Sequence, residues 1–211
     1  LKPFPYTSDW VSTARRRILT EYWQQGFNNV QIAGSTNYTP ESGHIEVHFD
    51  ITEGERQLIS TIRIMGDEKT LRSHVQRYFK FSEGDPVDYT RINLTRKKLY
   101  DTGLFKRVDF QMISEPQGYT AELYLNEKAP WSLRYGFAVT DHKELQGHER
   151  DLGVSTDVTY RNLLGTGIKV GASGKVDQSL RDARVFGSFP VFLNKDVDST
   201  LTLFRTRETL L

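Results

Sequence analysis

The chain has 211 residues, with 28 lysines and arginines against 27 aspartates and glutamates, and the resulting charge of +1 speaks against a nucleic-acid-binding arm. A hydrophobic share of 37% is enough for a core and excludes disorder throughout. The absence of cysteine excludes disulfide frameworks, thiolate metal sites, iron–sulfur clusters and cysteine nucleophiles.

No apolar run reaches the length of a membrane-spanning helix, a test that leaves β-strands untouched because they need only every second residue apolar. Leu1 is followed by no basic-then-apolar leader before Trp10, and Arg205–Leu211 stops without a turn or cap, so a longer chain is expected on both sides.

The first period is helical. Val11, Ala14, Ile18 and Tyr22 recur at spacings of three and four, Ser8 or Asp9 is placed to cap, and Gly26 follows the last turn, which predicts a helix over residues 9–25. The short β-prone segment Asn29–Ala33 and the alternating run Ile45, Val47, Phe49 and Ile51 then predict a hairpin with a long loop from Gly34 to Gly43.

The plan recurs in fuller form. Ile59, Ile62 and Ile64 lie in a β-like stretch ending at Gly66, and Leu71, Val75, Tyr78 and Phe79 mark a helix before the Gly84-Asp85-Pro86 break. A second helix is expected from Asp88 to Thr102, closed by Gly103, followed by strands at Val108–Met112 and Tyr119–Leu125. The order is β-α-α-β-β. Tyr22–Val30 aligns with Tyr100–Val108 and Asp50–Gly54 with Tyr124–Lys128, so the unit is a tandem small domain whose first copy is incomplete.

From Pro130 only period two remains. Leu133, Tyr135, Phe137 and Val139 alternate with polar or small residues, as do Leu152, Val154, Val158 and Tyr160, and three further strands follow at Ile168–Val176, Ala183–Phe192 and Ser199–Arg205. The connections alternate between long and charged (Asp141–Arg150, Asp177–Asp182) and short (Leu164–Gly167, Leu193–Asp196), the sequence form of a membrane barrel. A soluble sandwich shares the period, but a polar face carrying Asp157, Thr159, Arg161, Lys169 and Lys175 suits a wet lumen better.

These residues carry a resemblance. The β-α-α-β-β unit with Ile51-Thr52-Glu53-Gly54-Glu55, Glu83-Gly84-Asp85-Pro86-Val87 and Leu99–Phe105 resembles POTRA domains; Asn162–Gly167 resembles the first periplasmic turn of the barrel that follows them in the BamA and TamA family, and Phe189–Phe192 that family's aromatic strand end. The resemblance implies α+β POTRA modules followed by the first antiparallel strands of a transmembrane β-barrel: a partial POTRA domain at 1–54, a complete one at 55–129, and about five barrel strands at 130–211. It further implies an outer-membrane barrel with periplasmic POTRA domains that assembles and inserts other barrel proteins, without enzymatic activity or cofactor. The implied partners are unfolded outer-membrane client proteins, a periplasmic lipoprotein or inner-membrane subunit, and outer-membrane lipids. A polypeptide secretion pore of the same superfamily and a soluble β-rich binding protein are the alternatives.

For the first barrel strand, the resemblance favours an edge that pairs with client strands by β-augmentation at Leu133, Arg134, Tyr135, Gly136, Phe137 and Ala138, over an ordinary barrel wall. Gly136 among large residues would ease its opening. Candidate POTRA edges are Tyr119, Ala121, Leu123 and Leu125, or Ile45–Ile51. Arg96, Lys97, Lys98, Lys106 and Arg107 are candidates for lipid-headgroup contact, with a solvated face as the plainer reading, as for Arg15–Arg17. His44 and His48, four apart on a strand, lie roughly 13 Å from each other and cannot share a metal ion. His142 and His148, in a loop with Asp141, Glu144 and Glu149, are candidate metal ligands, with loop polarity as the plainer reading. Gly165-Thr166-Gly167 lacks the lysine and helix of a phosphate loop, and no Ser-His-Asp motif is supported. Glu127–Pro130 is a link too short for free rotation.

Overall fold

A computed structural model of the protein describes residues 7–144, 147–177, 180–190 and 199–208, with 140–151 and 208 described by their backbone alone. The described residues form two compact units. One gathers the residues up to Met65 with Phe79–Lys97 and Asp109–Tyr124; the other gathers Gly66–Tyr78, Lys98–Val108 and the chain from Leu125.

The first unit begins with helix α1, Ser8–Gln24. Its cap is Thr7 rather than Ser8 or Asp9, because Thr7 is the last residue in extended geometry and its Oγ1 accepts the Trp10 N–H at 3.2 Å. Gly26 ends the helix as expected, with φ of 91° and its N–H on the Trp23 carbonyl. Strands β1 (Gln31–Thr39) and β2 (His44–Thr52) pair antiparallel from Gln31↔Thr52 to Thr39↔His44. The expected long loop is therefore mostly strand. Residues of turn-like composition from Gly34 to Thr39 are held extended by the ladder that β2 offers them, and only Pro40–Gly43 turns.

Strand β3 (Ile59–Met65) opens the β-α-α-β-β unit, continued by α2 (Arg72–Gln76), α3 (Tyr89–Asp101), β4 (Phe105–Glu115) and β5 (Gly118–Glu127). Helix α2 stops short of the expected Phe79, whose ring instead stacks on Phe81 at 5.3 Å and packs against the cluster of Ile59, Phe81, Val87, Ile92 and Ala121. Asp88 stands just before α3, and its carboxylate accepts the Thr90 and Arg91 N–H groups at 2.7 and 3.3 Å. Asp88→Ala is expected to destabilise α3 by about 1 kcal/mol, read as faster amide exchange across Arg91–Thr95.

The three-stranded sheet has the order β3-β5-β4, with β3 and β5 parallel. This corrects one expectation. Tyr119, Ala121, Leu123 and Leu125 do not form an edge: β5 is the central strand with both ladders taken, and Ala121 and Leu123 are fully buried. On the same strand, the Tyr124 hydroxyl donates to the buried Glu122 at 2.6 Å and Arg63 lies 3.1 Å from it, and together they hold the Glu122 carboxyl below its ordinary range.

The second unit carries a five-stranded antiparallel meander, β10-β9-β8-β7-β6, built from β6 (Trp131–Glu144), β7 (Gly147–Leu163), β8 (Ile168–Val176), β9 (Leu180–Phe189) and β10 (Ser199–Glu208). The expected charged loop from Asp141 to Arg150 is instead the end of a long hairpin, since β6 and β7 stay in register as far as Glu144↔Gly147. The short connection Leu193–Asp196, the tip of Asp177–Asp182 and the aromatic end Val191-Phe192 fall outside the described residues.

Candidate functional site

The register of the meander sorts every second residue to one face. Leu133, Tyr135, Phe137 and Val139 of β6 share a face with Val158, Thr156, Val154 and Leu152 of β7, Ala172 and Val176 of β8, Val185 of β9, and Leu201 and Leu203 of β10. That face is bare: Tyr135 is 76% and Phe137 78% exposed. The opposite face is polar and carries ion pairs: Arg134 on Asp157 of the neighbouring strand at 3.1 Å, and, two residues apart along the chain, Arg184 on Asp182 at 2.7 Å and Lys175 on Asp177 at 3.3 Å.

Among the described residues β6 has a neighbour on one side only. The Arg161 N–H donates to the Pro130 carbonyl at 2.8 Å, and the register then runs without a shift from Trp131↔Tyr160. In an antiparallel pair such bonding alternates, so even-numbered residues of β6 turn their N–H and C=O toward β7. Leu133, Tyr135 and Phe137 turn theirs to the open edge. The six residues expected to pair with a client thus divide: Arg134, Gly136 and Ala138 serve the ladder to β7, and the other three present the edge. Trp131 and Tyr160 meet edge to face at 4.7 Å, where the strand enters the sheet.

A second constellation, missed by sequence reasoning, surrounds the turn Asn162–Gly167. Asn162 adopts a left-handed backbone with φ of 61°, its amide donates to Thr70 Oγ1 at 2.8 Å, and its carbonyl oxygen accepts the Gly167 N–H at 2.9 Å. Thr70 Oγ1 in turn donates to Glu127 at 2.6 Å, and the backbone N–H groups of Lys69 and Thr70 converge on the same carboxylate. The Leu71 N–H donates to the Gly165 carbonyl at 3.0 Å. A side chain at Gly165 would come within 2.8 Å of the Lys69 carbonyl, so only glycine permits this approach. The link Glu127–Pro130 is pinned at both ends, by Lys128 N–H on the Leu104 carbonyl and by Arg161 on Pro130.

Of the basic candidates, Arg96 and Lys97 lie on α3 in the first unit, while Lys98, Lys106 and Arg107 belong to the second. His74 is buried, and that burial, reinforced by Arg77, lowers its basicity. Among the described residues no three histidine or acidic side chains converge as metal ligands, and the side chains of His142 and His148 fall outside that description.

No family model matches the sequence. The chain is similar to the outer membrane protein assembly factor BamA of Nitratidesulfovibrio vulgaris, with 22% identity over 154 residues, which is 72% of this chain and 19% of that protein. Its fold is that of the BamA of Haemophilus ducreyi lacking POTRA domains 1–3, with a TM-score of 0.70 at 18% identity over 99% of this chain and 38% of the other. It is also similar to CdiB from Acinetobacter baumannii, with a TM-score of 0.55 at 16% identity and the same coverage. The chain thus spans about a fifth of its curated relative, and it shares its β-rich fold with these two solved structures.

Proposed function

We propose that this chain, of BamA/TamA type in its sequence and fold, serves an outer-membrane factor that assembles and inserts barrel proteins. Residues 1–54 and 55–129 are then POTRA modules on the periplasmic side, and 130–211 are the opening strands of the barrel. The observation that carries this is the two-faced sheet. Apolar side chains as exposed as Tyr135 and Phe137 on one face, and ion pairs on the other, suit lipid outside and water inside.

In this reading the protein performs no covalent chemistry. The edge of β6 supplies backbone donors and acceptors at Leu133, Tyr135 and Phe137, and an unfolded client strand completes the ladder there by β-augmentation. In lipid no water competes for those groups, so pairing is strongly favoured. Unfolded outer-membrane proteins are the substrate class, with a periplasmic lipoprotein or an inner-membrane subunit as companions of the POTRA modules. Among the described residues the β1–β2 hairpin has no further strand at either edge, and those edges are the better periplasmic docking candidates, since β5 is paired on both sides.

The polar face supports a second reading, a secretion pore in which the client threads through the lumen. Cysteine cross-linking in the full-length protein separates the two. Cysteines along Leu133–Ala138 are expected to trap the terminal strand of a stalled client with a period of two residues. Trapping at Ser173 or Arg184, on the polar face, with none at β6 would favour the pore and remove the edge-pairing proposal.

A further inference from the structure

We infer that the end of the β9–β10 hairpin remote from the Leu164–Gly167 turn holds a binding site for the phosphorylated headgroup of an anionic lipid, formed by Arg181, Arg205 and Arg207. The inference rests on the membrane reading above. The register sets Arg207 directly opposite Arg181 and Arg205 opposite Ala183, and all three belong to the same face as Val185 and Leu203. All three side chains are exposed, and among the described residues none has an acidic partner. Asp182, next to Arg181 along the strand, belongs to the other face, where it binds Arg184 at 2.7 Å and accepts from Thr206 at 2.8 Å.

Two like charges directly opposite on a strand pair repel and destabilise it. An arginine on the lipid-facing side of a barrel is tolerable only near the interface. Arg181 and Arg207 sit one residue from the ends of their strands, where the apolar face gives way to charge. A phosphate bridging their guanidinium groups would turn that repulsion into two charge-assisted contacts, for which the planar fork of arginine is well suited. Val185 and Leu203, next along the same face, would meet the acyl chain, and this selects a lipid over a free phosphate ion.

The test uses the full-length protein in vesicles of phosphatidylcholine with diphosphorylated lipid A as the anionic probe, and native mass spectrometry to count the lipid retained after transfer to neutral detergent. Wild type is expected to retain lipid A over phosphatidylcholine. Arg181→Gln with Arg207→Gln should lower that retention on the order of tenfold, whereas Arg184→Gln, on the other face, should leave it unchanged. Heat-modifiable mobility on gels verifies that the barrel is folded, and Arg205→Gln, with an expected loss of about fivefold, replaces the double variant if that does not fold. Undiminished retention in a folded variant, equal retention of phosphatidylcholine, or displacement by inorganic phosphate would overturn the inference. Wild-type protein that does not enter vesicles at all would remove the membrane reading itself; protein that enters but shows no lipid preference removes only this site.

Discussion

Proline at Tyr135 or Phe137 is expected to abolish assembly of client barrels while leaving β6 and β7 paired. Both residues belong to the half of β6 whose N–H groups face the open edge, as the Arg161–Pro130 bond and the unbroken register require. Proline removes that donor and fits an edge strand without breaking the ladder behind it. The client carbonyl left without a partner in lipid costs several kcal/mol, so assembly should slow on the order of a hundredfold or more. Arg134→Pro makes the contrast: it removes a donor to β7, breaks the Arg134–Asp157 side of the sheet and should reduce folding of the protein itself. Leu133→Ile, which alters no backbone group, should be nearly silent. The measurement is the fraction of a client barrel reaching its heat-modifiable form in vesicles carrying the full-length variant. Wild-type rates with folded Tyr135→Pro would show that the edge is a wall.

Glu127→Ala is expected to destabilise the second unit by about 3 kcal/mol. The carboxylate collects the Lys69 N–H, the Thr70 N–H and the Thr70 hydroxyl, and Thr70 is almost completely buried. Removing it leaves buried donors without an acceptor, and loosens the hydroxyl that receives the Asn162 amide. Glu127→Gln keeps one acceptor oxygen and should lose about 1 kcal/mol. Amide exchange at Leu71 and Gly167 reads the effect locally, since Leu71 bonds the Gly165 carbonyl and Gly167 bonds Asn162. Unchanged protection at both amides in Glu127→Ala would show that the turn is held by other contacts.

The sequence by itself determined what is decided over a few residues. Gly26 and Gly103 announce the ends of α1 and α3, because a left-handed residue after a helix is cheap only for glycine. The β-α-α-β-β order and the change to period two at Pro130 were likewise legible, since side-chain direction along a helix or strand is a local property. The two faces of the second sheet followed from that alternation alone.

Tertiary structure decided what depends on which segments meet. Tyr119–Leu125 alternates like an edge strand, yet it lies between β3 and β4, because strand order is a property of the whole sheet and leaves no mark in the strand's own pattern. Gly34–Thr39 reads as loop and is strand because β2 supplies partners for its backbone. Asn162 opens a turn and Glu127 a link that the sequence marks, but nothing in it joins them to Thr70; they lie 92 and 57 residues from Thr70 along the chain and converge only when the turn is folded. The pairing of Arg181 with Arg207 and the division of β6 into ladder and edge residues come from register, which hydrogen bonding across strands sets and composition along one strand cannot.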